Sequence, residues 1–298
     1  MKIGAVFPQA HAKDPPDRLR RFVERVETMG YQHLLIFDHV APSVARRTSH
    51  LPMTPYIYSD PFHEAIVLAG FIVGATRDLG AVLGVLVLPQ RQTVLAAKQL
   101  ATLNFISGDR VRAGLGVGWN PIEYEALGAP FHRRGDLLDE QIQIMQALWR
   151  DDLVSYHGEF HDFDEVGITP RPEPETPIWF GGQSDRMFRR IAESGAGWIP
   201  PRIDMTTARS PEMHQLLAGL DEELARVGRR RDDIGLEGRV GWRGERDALL
   251  AEVEDWQSLG VTHLSITVEE PTANLDEEAD SLEAAMAAIS SGEDWRNT

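Results

Sequence analysis

Asp38 and His39 close the apolar run HLLIFDHV and set a carboxylate beside an imidazole. Histidine exchanges its proton near neutral pH, and a carboxylate beside it can accept or hold one. The same residues also fit a blander role, with Asp38 capping a loop and His39 on a polar rim. Two glycine-bearing segments could hold a ligand's backbone-facing side. The first, VRAGLGVG at 111–118, runs into WNPIEYEALG; the second, PIWFGGQSDRMFRR, carries Gly181, Gly182, Gln183 and Ser184 at a strand-to-helix corner. Glycines at strand ends let a ligand come close to the backbone, and a helix beginning just beyond offers N–H groups to an anion. The dinucleotide pattern G-x-G-x-x-G fails here, because Trp119 stands where the third glycine belongs after Gly114 and Gly116. Trp119 and Trp179 are placed either to flank a ring system or simply to pack. Gly84, with Val85 after it, interrupts the strand pattern AVLGVLVLP, which marks a bulge, a close approach or a small residue packed inside.

Other constellations carry less. His157 and His161 in HGEFHDFDE are four apart, but Gly158 and the flanking aromatics predict a hairpin rather than a helical metal site. No serine sits in G-x-S-x-G, and the first strand lacks an H-x-H pair. With no cysteine there is neither a disulfide nor a thiol nucleophile. Arg133 and Arg134 could reach a phosphate or could merely open a helix.

The elements that must position these groups follow one rhythm. KIGAVFP precedes DRLRRFVERVETMG, where Leu19, Phe22, Val23 and Val26 share a face and Gly30 can end the helix. Strands are predicted to begin near Ile3, His33, Ala81, Val111, Pro177, Gly197, Gly235 and His263, each followed by a helical period. Near-continuous apolar strands alternating with helices mean a parallel sheet covered on its outside. Eight such units within 298 residues predict an α/β fold, a closed (β/α)8 TIM barrel in one domain over 1–298. An open doubly wound sheet is the competing architecture. Residues 41–60 form a long loop and 153–176 a hairpin-like insertion, both expected to border the barrel mouth and to be mobile.

The net charge of −16 argues against a nucleic-acid or anionic-membrane surface, and makes any bound anion depend on local donors. The longest apolar stretch, AIVLAGFIVGAT, is too short to span a bilayer, and MKIGAVFPQ lacks a signal-peptide layout. A soluble, cytoplasmic protein is expected.

Taken in order, DHV at 38–40, VLVLPQR at 85–91, LAAKQLATLNFISGDRVRAGLGVGWNPIEYEALGAPFHRRGDLLDE at 95–140, LVSYHGEFHDF at 153–163 and TPIWFGGQS at 176–184 resemble one family. It is the luciferase-like flavin and deazaflavin oxidoreductase superfamily, in its coenzyme F420-dependent branch. The resemblance implies a barrel with the deazaflavin in its C-terminal mouth, and Asp38 and His39 against the ring as catalytic candidates. It further implies a non-prolyl cis peptide at Gly84–Val85 behind the ring, Gly118 and Trp119 among the cofactor contacts, and the cofactor phosphate at Gly181–Ser184. Dimers are common in that family. The glutamate that follows strand four in its sugar-phosphate dehydrogenases is missing, with proline in its place; Glu123 and Glu125 are the substitutes at hand. A reduced-FMN monooxygenase and a non-catalytic cofactor-binding barrel are the alternative functions.

Overall fold

The computed structural model describes residues 1–11, 13–42, 57–173, 175–201, 208–270 and 272–291. Eight parallel strands close into a barrel: β1 (Lys2–Val6), β2 (His33–Ile36), β3 (Gly80–Val87), β4 (Val111–Gly116), β7 (Ile178–Gly181), β8 (Gly197–Ile199), β9 (Gly235–Trp242) and β10 (His263–Val268). Every predicted strand start lies within one residue of the observed one. The hairpin expected within 153–176 is present as antiparallel β5 (Val154–His157) and β6 (Asp162–Val166).

Around the barrel run α1 (Pro16–Thr28), α2 (Ala65–Ala75), α3 (Thr93–Ser107), α4 (Pro121–Ala126), α5 (Arg134–Arg150), α6 (Asp185–Ser194), α7 (Pro211–Arg226), α8 (Arg246–Ser258) and α9 (Leu275–Ser290). Helix α1 shows why the pattern was readable. Proline opens it, Phe22, Val23 and Val26 are buried along one face, and Gly30 follows it with φ +89°. Strand side chains divide into two sets. One faces outward into the helix layer, as Ile3, Ala5 and Phe7 do; the other fills the barrel with Val6, Leu35, Val82, Trp179 and Ile199. That period-two division puts His33, Leu35 and Phe37 on the inner side of β2 and its extension, and so leads to His39 at the C-terminal mouth. Among the described residues no helix is long and apolar enough to cross a membrane.

The hairpin tip meets the first turns of the helices that follow β3 and β4, on the C-terminal side of the barrel. His161 lies 2.5 Å from Thr93 Oγ1 and 3.0 Å from Glu140, and Arg133 pairs with Glu159. The rest of the expected mouth border, residues 43–56 of the long loop, lies outside the described residues.

Candidate active site

The bulge in β3 shapes the floor of the mouth. The register of β3 against β4 shifts between Leu83 and Leu86, and the Gly84–Val85 peptide is cis. Gly84 is required there, since an added Cβ would sit 2.7 Å from Leu35 Cγ. Beyond it Val85 turns inward between β4 and β7. A Cβ on Gly116 would overlap one methyl group of Val85, and a Cβ on Gly181 would overlap the other. These two strand-end glycines, read in the sequence as openings for a ligand, are therefore filled by Val85 itself. Gly118, at φ +62°, makes similar room for Val87, 2.7 Å from where its Cβ would be. Gly116→Ala should cost about 1–3 kcal/mol through overpacking. An unchanged urea midpoint would show that Val85 has room to withdraw.

His39 stands above this floor. Its Nδ1 lies 3.1 Å from Oε1 of Glu123, whose carboxylate is only 1% exposed. The edges of Phe62 and Trp119 flank the imidazole at centroid distances of 5.2 and 5.8 Å. The local sequence builds this pairing. Asn120 caps α4 by accepting from Ile122 N–H, Pro121 takes the first helical position, and the Tyr124 hydroxyl donates to Val117 O. Pro121 thus starts a short helix whose inner face carries Glu123 to His39; Glu125 is exposed on the other side. A buried carboxylate held against one imidazole nitrogen orients the ring and selects its tautomer.

Asp38 plays a different part. It is 5% exposed, its Oδ2 accepts from Val87 N–H at 2.8 Å, and its Oδ1 pairs with Arg91 at 2.9 Å. Burial raises its carboxyl above the ordinary range, while Arg91 and the Val87 N–H pull it back. Both oxygens of Asp38 are thus engaged inside the protein, whereas the imidazole of its neighbour His39 lies against Glu123.

At the second glycine corner, Ser184 caps α6 by accepting from Met187 N–H, and Gly182 O accepts from the indole N–H of Trp198. Gly182 has φ +138°, and a Cβ there would crowd Met187 at 3.3 Å. Gln183 and Ser184 are exposed at the opening of the helix. Trp179, by contrast, lies deep in the barrel, stacked on Arg112 at 4.7 Å and against His263 at 5.0 Å, where it fills the space over Gly197 and Gly235. It packs the core. Arg133 and Arg134 are engaged locally, Arg134 over the Phe131 ring, and His157 pairs with Asp162 on the exposed hairpin.

Below the floor sits a charged layer that sequence reasoning missed. Glu237, 1% exposed, accepts from Ser265 Oγ at 2.6 Å and Arg112 at 2.7 Å, and lies 3.1 Å from His33 Nε2. Burial opposes its charge, but His33, Arg112 and Ser265 more than offset this and hold the carboxyl well below the usual range. Burial lowers His33 against the pull of Glu237 and, with Arg112, pushes His263 down to about 2. A glutamate two residues after a glycine in IGLEGRV gave no signal of a partner 204 residues away.

Comparison with known proteins agrees with this geometry. A family model described as luciferase-like monooxygenase matches residues 1–296. An uncharacterized protein of Mycobacterium tuberculosis is 35% identical over 199 residues, 63% of this chain and 68% of its own length. An F420-dependent glucose-6-phosphate dehydrogenase of Microbacterium testaceum is 26% identical over 257 residues, 83% and 70% of the two chains. The monooxygenase RslO1 of Streptomyces bottropensis superposes with a TM-score of 0.77 at 18% identity, over 97% of this chain and 98% of its own. With a barrel, a bulged third strand and a histidine at the mouth already in place, the match over nearly the whole length completes the assignment: this chain belongs to the luciferase-like monooxygenase family.

Proposed function

We propose that the protein is a coenzyme F420-dependent oxidoreductase, which transfers a hydride between the deazaflavin and a small organic substrate. The observation that carries this reading is the His39–Glu123 pair at the mouth, beside the Val85 floor. The residues fit such a cofactor. Because Gly116 and Gly181 take in the flanks of Val85, the floor presents one branched side chain without neighbours projecting past it, a surface for a flat ring. A deazaflavin supplies two-electron hydride chemistry, and the protein supplies shape, orientation and a proton. In this reading His39 gives or takes that proton at Nε2, at the substrate atom that gains or loses it. Glu123 holds the Nδ1 side and orients the imidazole, and Phe62 and Trp119 keep water from the ring. Gly181, Gly182, Gln183 and Ser184 hold the cofactor phosphate through backbone N–H groups at the start of α6, since the acidic chain offers an anion no help from its overall field.

The test is a side-by-side titration of the pure protein with oxidised F420, FMN and NADP. F420 is expected to bind most tightly, and Gly182→Val to weaken it without lowering the melting temperature by more than a few degrees. Tight FMN binding with none for F420 would move the protein to the reduced-FMN monooxygenases. Binding without turnover across carbonyl and alcohol substrates would leave a non-catalytic cofactor-binding barrel.

The proposal includes a homodimer. Helix α2 has no charged residue, and Val67 on it is exposed, as are Leu95, Phe105 and Ile106 on the neighbouring α3. In a chain of net charge −16 this is the surface on which two copies meet without like-charge repulsion. Sedimentation should give twice the chain mass, and Phe105→Glu should return the monomer.

A further inference from the structure

We infer that Arg91 is the positioning residue of this site, acting through the buried Asp38 and through Glu64 to hold three of its walls in register. The inference rests on the functional reading above for its ligand, and on hydrogen bonds within the chain for its geometry.

The Arg91 guanidinium is largely buried and one of its nitrogens serves two carboxylates, Asp38 at 2.9 Å and Glu64 at 2.7 Å. Each carboxylate spends its second oxygen on a backbone N–H. Asp38 takes that of Val87, two residues past Val85 on the bulged strand. Glu64 takes that of Val67, which caps α2. Asp38 is the immediate neighbour of His39, and Glu64 lies two residues after Phe62, the ring set edge-on to His39. One cation therefore ties together the strand end that carries His39, the floor segment Val85–Val87, and the segment that brings in Phe62. Its own backbone is fixed as well, because Gln141 of α5 donates to the carbonyls of Arg91 and Leu88. Such charge-assisted bonds are roughly twice as strong as neutral ones, and an unpaired Asp38 in this buried place would be costly. Its guanidinium is spent on these two carboxylates, and it acts through them.

The experiment compares wild type with Arg91→Met, Arg91→Lys, Asp38→Asn and the Arg91→Met/Asp38→Asn double variant. The readouts are the melting temperature, the Kd for F420 and for FMN, the absorption spectrum of the bound cofactor, and the His39 ring resonances without cofactor. Arg91→Met should weaken cofactor binding by about tenfold or more, shift the bound spectrum towards that of free cofactor, and move the His39 resonances. Arg91→Lys should rescue part of each change. The double variant should lose little more than the worse single variant, because both break the same Arg91–Asp38 bond. Unchanged affinity, spectrum and His39 resonances in a folded Arg91→Met protein would overturn the inference, as would strictly additive losses. Should Arg91→Met fail to fold, Arg91→Lys and Asp38→Asn decide by the same readouts. A wild type that binds neither cofactor would refute the functional reading, and the His39 resonances would still decide the positioning role.

Discussion

His39→Ala is expected to lower turnover by roughly 10²–10⁴-fold, the range typical for loss of a proton-transfer group. Glu123→Gln should fall in the same range, because a glutamine presents either an N–H or a carbonyl to Nδ1 and so no longer selects one tautomer of the imidazole. The two residues act as one unit across 3.1 Å, so the double variant should lose little beyond the worse single change. The measurement is kcat with the substrate that the cofactor-loaded protein turns over, with the cofactor Kd determined alongside. If both variants weaken binding while kcat holds, the pair orients the ring and moves no proton.

A comparably large effect on stability is expected at the other end of the barrel. Glu237→Ala removes the one carboxylate shared by Arg112, His33 and Ser265 and should cost about 3–5 kcal/mol, as breaking a buried pair does. The pH dependence follows from the same cluster. Glu237 is held below its unfolded value, so its contribution is present above about pH 4.3 and is lost as the pH falls further. His33 and His263 are held neutral in the fold but take up protons when unfolded, so stability also declines as the pH drops below about 6.5. All three push in one direction. Urea unfolding of the wild type at pH 7.5 and 5.0 should show the decline, and Glu237→Ala should flatten the part near pH 4. A loss under 1 kcal/mol at neutral pH would mean the layer is not held together by this carboxylate.

What the sequence made legible depended on range. Strand starts, the helix face of α1 and the hairpin at 154–166 come from patterns within ten or so residues, where apolar periodicity and turn formers speak directly. The cis Gly84–Val85 bond came from the resemblance, because a glycine in a strand has several physical explanations. The pairing of His39 with Glu123 joins residues 84 apart, and that of His33 with Glu237 joins residues 204 apart. Only closure of the barrel brings such pairs together, and no local pattern names them. Gly116 and Gly181 read in the sequence as openings for a ligand, but what fills them is Val85 from another strand. Asp38 was picked for its chemistry, and burial turned that chemistry inward to Val87 and Arg91.

The nesting of Val85 between those two glycines makes positions 85, 116 and 181 a single volume shared by three strands. Tolerance at one position is then conditional on the other two, an epistasis written in the packing. Alanine at 116, harmful beside valine, becomes acceptable once position 85 gives up a methyl-bearing branch, and the order in which two such changes arrive decides whether the intermediate folds. A diverging lineage, or a library built on this barrel, can reshape the mouth floor only by moving along that coupled path.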